Sequence, residues 1–164
     1  MQIRYLGGEK FEIRTGENRI LLGEGLSIDS FKFPGPGEYE KAGISVVGVA
    51  DDNNNTIYVM RVEEVNLCHL GKMANVLNQE KMKEIGDVDI LFLPLGESGT
   101  LPTIKALDIA SKIDPRILIP MLYSDLTEFK KGEGVDDGEL PVLKIRRADL
   151  PEEERRIVIL KPTV

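Results

Sequence analysis

The sequence predicts a mixed fold of the α/β or α+β class, formed by one domain over residues 1–164. Two observations lead to this prediction. The first third of the chain consists of short runs in which apolar and polar residues alternate, as in β-strands. The second half alternates strand-like runs with helical periodicity. A chain of 164 residues buries about 70% of the surface that its unfolded state exposes, which is enough for a two-layer or sandwich core.

The first half of the chain predicts β-strands with tight connections. The strands lie at residues 3–6, 11–14, 19–22, 44–49 and 56–62, with a further apolar run at residues 31–33. Turns that contain glycine separate the first three strands. The segment 34–37 has the sequence PGPG and predicts turns, and the polar loop 51–55 joins the last two strands.

The second half predicts helices between buried strands. The strands lie at residues 65–68, 89–94, 116–120, 142–145 and 157–160. Asn78 is a suitable cap for a helix over residues 79–85 that ends at Gly86. A second helix begins at Thr100 or Thr103 and ends before Pro115, since apolar residues recur on one face at helical spacing. A short helix over residues 125–131 precedes an acidic loop at residues 132–139.

Composition argues against several partners and locations. The chain has 21 basic and 28 acidic residues, a net charge of −7, so it repels phosphate backbones and is not expected to bind nucleic acid. No apolar run approaches the ~18 residues of a membrane span, and the strand-like start does not resemble a signal peptide. The single cysteine, Cys68, excludes an intramolecular disulfide. These features predict a soluble, cytoplasmic protein without a membrane partner.

Five segments, taken in order, resemble the metallo-β-lactamase-fold hydrolases, in particular small bacterial proteins predicted to be zinc-dependent hydrolases. They are IRYLG at residues 3–7, PGEYE at 36–40, CHLG at 68–71, DILFLPLG at 89–96 and PRILIPMLY at 115–123. The resemblance implies a four-layer αββα sandwich, in which two sheets face each other, helices lie outside them and a metal site lies along one edge. The sandwich is expected to be truncated, because the segment after Leu22 is shorter than in the family.

The resemblance also identifies the positions of the metal ligands, and none of the ligands is present. The family holds one or two metal ions that acidify a bound water, using a His-x-His-x-Asp-His loop, a later histidine, a bridging aspartate and a final histidine. Residues 23–30, where the loop belongs, contain no histidine. The later histidine is replaced in the segment Ala50-Asp51-Asp52. The bridging aspartate is replaced by Lys72, and the final histidine by Leu122.

The resemblance therefore implies a degenerate member with no catalytic residue, no metal ligand and no cofactor, the zinc site having been lost. The remnant of the site is expected to consist of His69, Lys72, Asp51, Asp52, Leu122 and Tyr123. Lys72 places a positive charge where a dication would lie, and two such charges at about 4 Å repel by several kcal/mol at an effective dielectric constant near 20.

Two of these residues have alternative interpretations. The ammonium group of Lys72 is expected to point towards Leu122 and Tyr123. It either replaces the metal, pairing with Asp51, Asp52 or an anion, or belongs to an exposed loop lysine. His69 is either a residual ligand or base, or a histidine at a strand end that bonds to the neighbouring backbone.

Two functions follow from this sequence. The first is a non-catalytic pseudoenzyme that acts by binding or assembly, and the alternative is a metal-dependent hydrolase with an unconventional site built from Asp51, Asp52, His69 or Glu97. The shortened loop is expected to expose four apolar side chains, which favours a homodimer or another protein partner. These side chains are Leu26, Ile28, Phe31 and Phe33. Cover by residues 133–141 is the alternative that leaves a monomer.

Overall fold

The computed structural model describes residues 1–51, 53–96, 99–133 and 138–163. Within them the chain forms two β-sheets and three α-helices, which confirms the predicted mixed fold. The strands are β1 Gln2–Gly7, β2 Lys10–Thr15, β3 Asn18–Leu22, β4 Leu26–Ile28, β5 Phe31–Lys32, β6 Gly37–Lys41, β7 Ile44–Ala50, β8 Thr56–Val62, β9 Val65–His69, β10 Ile90–Pro94, β11 Ile117–Met121, β12 Leu143–Lys144 and β13 Arg156–Ile157. The helices are α1 Gln79–Ile85, α2 Thr103–Ile113 and α3 Thr127–Glu133, with a 3₁₀ turn at Arg147–Asp149. None of the described helices is long and apolar enough to span a membrane.

The first sheet is an antiparallel sheet of six strands, in the order β12-β1-β2-β3-β4-β5. Side chains alternate between the two faces along its strands, so one face is apolar and the other is largely polar. Ile3 lies opposite Ile13, and Ile13 lies opposite Ile20, which places these three buried side chains on the apolar face. That face is turned towards the second sheet.

The second sheet has seven strands, in the order β13-β11-β10-β9-β8-β7-β6. Strands β6 to β9 pair antiparallel, and β9, β10, β11 and β13 pair parallel. All five residues of β10 and all five of β11 are buried. Continuous burial is expected for parallel strands that are covered on both faces.

Two apolar cores hold these layers together. The first lies between the sheets and includes Phe11 and Phe92, whose ring centroids are 4.5 Å apart. The second lies between the seven-stranded sheet and the helices, where Leu91 and Leu118 pack with Ile109. All three described helices therefore cover the same sheet. Among the described residues no helix covers the outer face of the six-stranded sheet, so this part of the chain forms three layers, with helices outside one sheet only.

Helix boundaries agree closely with the sequence patterns. The side chain of Asn78 accepts a hydrogen bond from the backbone N–H of Lys81 at 2.8 Å, and α1 ends at Gly86, whose φ of 68° is favourable for glycine. Helix α2 begins at Thr103 rather than Thr100. The alternation of apolar and polar residues alone did not predict strands β4 and β6, because β4 has only three residues and β6 follows the PGPG turn.

The prediction that the shortened loop exposes four apolar side chains is wrong for three of them. Leu26, Ile28 and Phe33 are buried, and only Phe31 is exposed, at 45%. The reason is that β4 pairs with β3, with Ile20 opposite Ile28, which turns the β4 side chains into the core between the sheets. The alternative cover, residues 133–141, includes residues 134–137, which lie outside the described residues.

Candidate functional site

The carboxyl ends of three parallel strands meet at one edge of the seven-stranded sheet. His69 at the end of β9 lies opposite Phe92 of β10, which lies opposite Ile119 of β11. Lys72 and Leu122 each follow three residues later, so they lie at the same edge. Ligand sites in open α/β sheets form at this edge. It is also where the resemblance predicts the metal site.

The turn between β1 and β2 reaches this edge from the opposite sheet. The backbone N–H of Leu122 donates to the carbonyl of Gly8 at 3.2 Å. Nε2 of His69 lies 2.8 Å from the carbonyl of Glu9, and Nζ of Lys72 lies 3.5 Å from Oε1 of Glu9. The turn therefore brings together three residues that the sequence identified separately, and adds Glu9, which the sequence analysis missed.

His69 is a buried, neutral imidazole. A carbonyl oxygen only accepts, so Nε2 carries the proton and donates it to the Glu9 carbonyl. The ring packs against the contacting pair Phe11 and Phe92, with centroid distances of 6.0 and 5.8 Å. Burial lowers the pKa of His69 to about 4, although the bond to the Glu9 carbonyl and the charge of Glu9 favour protonation. This arrangement matches the interpretation of a strand-end histidine bonded to the backbone.

Lys72 is anchored through its backbone by Asn55. The Lys72 N–H donates to Oδ1 of Asn55 at 3.1 Å, and Nδ2 of Asn55 donates to the Leu70 carbonyl at 2.8 Å. The Lys72 side chain is 56% exposed, whereas the Glu9 side chain is only 8% exposed. The ion pair thus has one nearly buried member and one that water screens.

The remaining predicted site residues are only partly assembled. Asp51 is buried, and its backbone N–H donates to the carbonyl of Asn55 at 2.8 Å, so it belongs to the loop that anchors Lys72. Asp52 lies outside the described residues, as does Glu97 of the alternative site. Tyr123 is half-buried, with its ring 6.3 Å from that of Tyr5. Burial, with a contribution from the charge of Glu139, raises the pKa of Tyr123.

Leu122 adopts an unusual backbone conformation. Its φ is 51°, in the left-handed region, and its side chain is buried. Asn, Asp and His are enriched in this region, while a bulky apolar residue is an outlier that costs on the order of 1 kcal/mol. The conformation therefore suits the histidine that the resemblance predicts at this position better than it suits leucine.

These side chains do not fit a zinc centre. Zinc needs three or four imidazole, thiolate or carboxylate donors. Within residues 1–51, 53–96, 99–133 and 138–163, no group of three such side chains could hold a metal ion. At the predicted edge the imidazole Nε2 is engaged with Glu9, Lys72 contributes a positive charge and Leu122 contributes no donor. Cys68 is buried on the helix-facing side, where burial raises the pKa of its thiol well above the usual range.

The Lys72–Glu9 ion pair is expected to stabilise the fold by about 1 kcal/mol, because Glu9 is nearly buried while Lys72 is screened by water. Lys72→Met should lower the free energy of unfolding at neutral pH by this amount. In a Glu9→Gln background the same substitution should have almost no effect. Urea denaturation of the four proteins measures the coupling directly. Equal losses in both backgrounds would mean that the two side chains do not interact.

Comparison with known proteins supports the fold. Residues 23–122 match the family model of the β-lactamase superfamily domain. A crystal structure from Thermotoga maritima, assigned to the zinc-dependent hydrolases of the metallo-β-lactamase superfamily, is 22% identical with a TM-score of 0.81 over 98% of each chain. A metallohydrolase from the archaeon Ignicoccus hospitalis is 12% identical with a TM-score of 0.69, over 98% of this chain and 95% of that one. The comparison with curated proteins returned no match.

Proposed function

This chain belongs to the β-lactamase superfamily, and on that premise we propose that it is a pseudoenzyme that acts by binding or assembly. The observation that carries the proposal is the Lys72–Glu9 ion pair at the carboxyl edge of the parallel strands. An ammonium group there repels a dication, and its carboxylate partner is already neutralised. We further propose that the protein is cytoplasmic, since its one cysteine is a buried free thiol.

The alternative, a metal-dependent hydrolase with an unconventional site, is less well supported. Of its four candidate residues, only Asp51 and His69 lie in the part of the chain that the structure describes. His69 donates through Nε2 to a backbone carbonyl, packs against Phe11 and Phe92 and is buried, so substrate and water have poor access to it. A general base must reach the proton that it removes. No observation favours this alternative over the binding role.

Purified protein is expected to contain no stoichiometric zinc when it is prepared without chelators or a metal-affinity tag. Elemental analysis should give less than about 0.1 zinc per chain, because a functional site needs three or more ligands. Addition of zinc should shift the melting temperature by less than about 1 °C. A site with a Kd of about 1 μM would add about 2.7 kcal/mol at 100 μM zinc, which corresponds to roughly 5–10 °C.

His69→Gln is the matched control for the zinc measurement. Glutamine preserves a donor towards the Glu9 carbonyl but removes the imidazole. A zinc-dependent shift in the parent protein that disappears in this variant would show that His69 holds a metal, and the proposal would then be wrong. An equal, small shift in both proteins reflects weak binding elsewhere on an acidic surface and leaves the proposal intact.

A homodimer stays a prediction for this chain, with Phe31 as its remaining apolar basis. Phe31 lies on β5, an edge strand, with Nζ of Lys41 5.5 Å from the ring centroid. Light scattering at micromolar concentration is expected to give the mass of two chains, and Phe31→Asp should reduce it to one. Ser30→Asp adds the same charge next to Phe31 and should leave the mass unchanged. The mass of one chain for the parent protein would rule out the dimer.

A further inference from the structure

The outer face of the six-stranded sheet is strongly basic, although the chain as a whole is acidic. The pairing register places the following side chains on it: Gln2, Arg4, Leu6, Lys10, Glu12, Arg14, Arg19, Leu21, Ser27, Lys32 and Lys144. We call these residues the basic sheet face. It has six basic residues and one acidic residue, whereas the whole chain has 21 and 28. Charge is therefore segregated, and the rest of the molecule is correspondingly more acidic.

One carboxylate organises the centre of this face. Oε1 of Glu12 lies 3.0 Å from Nε of Arg14 and 3.6 Å from Nη1 of Arg4, and Oε2 lies 2.5 Å from Nε of Arg19. Burial alone would raise the pKa of Glu12, but the hydrogen bonds and charges of Arg19 and Arg14 outweigh it and lower the pKa. The three guanidinium groups surround a single carboxylate, so the cluster formed by Glu12 and these arginines has a net charge of +2.

The three arginines are held in place and yet accessible. Their side chains are between 37% and 55% exposed. A guanidinium group has five N–H donors in a planar arrangement, so donors remain turned to solvent after the bonds to Glu12 are made. Because Glu12 already restricts their rotamers, less side-chain entropy is lost when they bind a second carboxylate.

An apolar groove adjoins the charged cluster. It has a volume of about 430 Å³ and lies at the β3–β4 turn, where the resemblance predicts a shortened loop. Leu6, Leu21 and Leu26 line it, and its charged lining residues are Lys10, Lys32 and Glu24. Two ammonium groups against one carboxylate leave a net positive charge at this apolar groove, which matches an apolar side chain that is flanked by carboxylates.

We propose that the basic sheet face binds an acidic, amphipathic segment of a partner protein. Its carboxylates pair with the arginines around Glu12, and one or two of its apolar side chains enter the groove. The other sheet already buries its outer face beneath three helices, and this segment covers the equivalent face of the six-stranded sheet. The inference extends the proposed binding role, but it depends on a different surface from the Lys72 edge and does not depend on the metal result.

The same face fits other partners less well. None of its eleven side chains is aromatic, and Phe33, which lines the groove, is buried, so the face offers no exposed ring on which a base could stack, which argues against single-stranded nucleic acid. Leu6 is the only exposed apolar residue of the face, so the face offers little apolar area to insert into a lipid surface. A segment covering the face buries on the order of 1,000 Å² in total, which is typical of weak and transient complexes.

The test uses a fluorescent synthetic helix-forming peptide of about 16 residues, with glutamates along one face and two leucines spaced four apart. Fluorescence anisotropy is expected to give a Kd of roughly 10–100 μM at low salt and binding at least about tenfold weaker at about 0.3 M salt. Arg14→Gln with Arg19→Gln should weaken binding at least about tenfold. Arg61→Gln with Arg156→Gln removes the same charge elsewhere and should change the Kd by less than about twofold.

Several outcomes would overturn the proposal. One is that both double variants weaken peptide binding equally. Another is that the parent protein shows no saturable binding up to about 1 mM peptide. Circular dichroism verifies that each protein is folded in these measurements. Tighter binding of anionic phospholipid vesicles or of single-stranded DNA, lost in the Arg14/Arg19 variant, would assign the face to a lipid or nucleic-acid partner instead. A parent dimer that this variant dissociates would assign it to a second copy. Zinc content, measured on the same preparations, tests the loss of the metal site separately.

Discussion

Acidification from pH 7 to pH 4 is expected to lower the free energy of unfolding by about 3 kcal/mol through His69 alone. Burial lowers the pKa of His69 to about 4 in the folded protein, against an ordinary value of 6.5. Between these two values the unfolded chain binds a proton that the folded chain does not bind, so stability falls as the pH falls. Above about pH 7.5 both states are largely neutral at this residue, and its contribution is nearly constant.

The comparison with His69→Gln isolates this contribution. Several carboxylates also titrate in the same range, including Glu12 and Asp29, whose pKa values are lowered in the folded protein. Their effects are shared by both proteins and cancel in the difference. The stability of the parent relative to the variant should therefore fall by about 3 kcal/mol from pH 7 to pH 4, measured by urea denaturation with circular dichroism. Parallel pH profiles would show that His69 titrates normally.

A direct spectroscopic measurement is also possible because His69 is the only histidine. Its imidazole resonances in a long-range ¹H–¹⁵N spectrum need no assignment. They are expected to show a neutral ring protonated at Nε2, with chemical shifts that stay constant from pH 8 to pH 5. A shift change centred near the ordinary value of 6.5 would contradict the buried position of the ring.

Local patterns predicted most of the elements because local interactions determine them. Asn78 and Gly86 mark the ends of α1 through capping and a left-handed backbone, and both effects involve only neighbouring residues. The buried strands β10 and β11 were visible as continuous apolar runs. Strand β6 was missed for the opposite reason, since its residues are largely exposed and its pairing with β7 depends on a partner that lies later in the chain.

The functional residues that were missed depend on contacts between distant segments. Glu9 lies in a glycine-containing turn, and nothing near it in the sequence indicates that it meets Lys72, 63 positions later. Arg4, Arg14 and Arg19 come together only through the register of three strands. The net charge of −7 averages over the whole chain and therefore conceals a basic face. Charge segregation becomes visible only when the alternation along each strand is combined with the pairing.

At the remnant site, adding a methyl group to Gly71 is expected to cause the largest loss of stability, because Asn55 lies directly beside it. Gly71 has a φ of 62°, and a Cβ placed on it would lie 2.2 Å from Oδ1 of Asn55. The Asn55 side chain must then move and give up its hydrogen bonds to the Leu70 carbonyl and the Lys72 N–H. Gly71→Ala is therefore expected to destabilise the fold by roughly 2–4 kcal/mol. Backbone strain in the left-handed region contributes about 1 kcal/mol, and each of the two lost hydrogen bonds contributes about 1 kcal/mol.

Two matched variants separate the strain from the clash. Gly16→Ala introduces alanine at nearly the same φ, 57°, with no atom within 4 Å of the new methyl group, and should cost only about 1 kcal/mol. In an Asn55→Ala background the clash is absent, so Gly71→Ala should again cost about 1 kcal/mol there. Denaturation of these variants gives the coupling energy between the two positions. If Gly71→Ala costs the same with and without Asn55, the anchoring of the Lys72 backbone by Asn55 does not stabilise this edge.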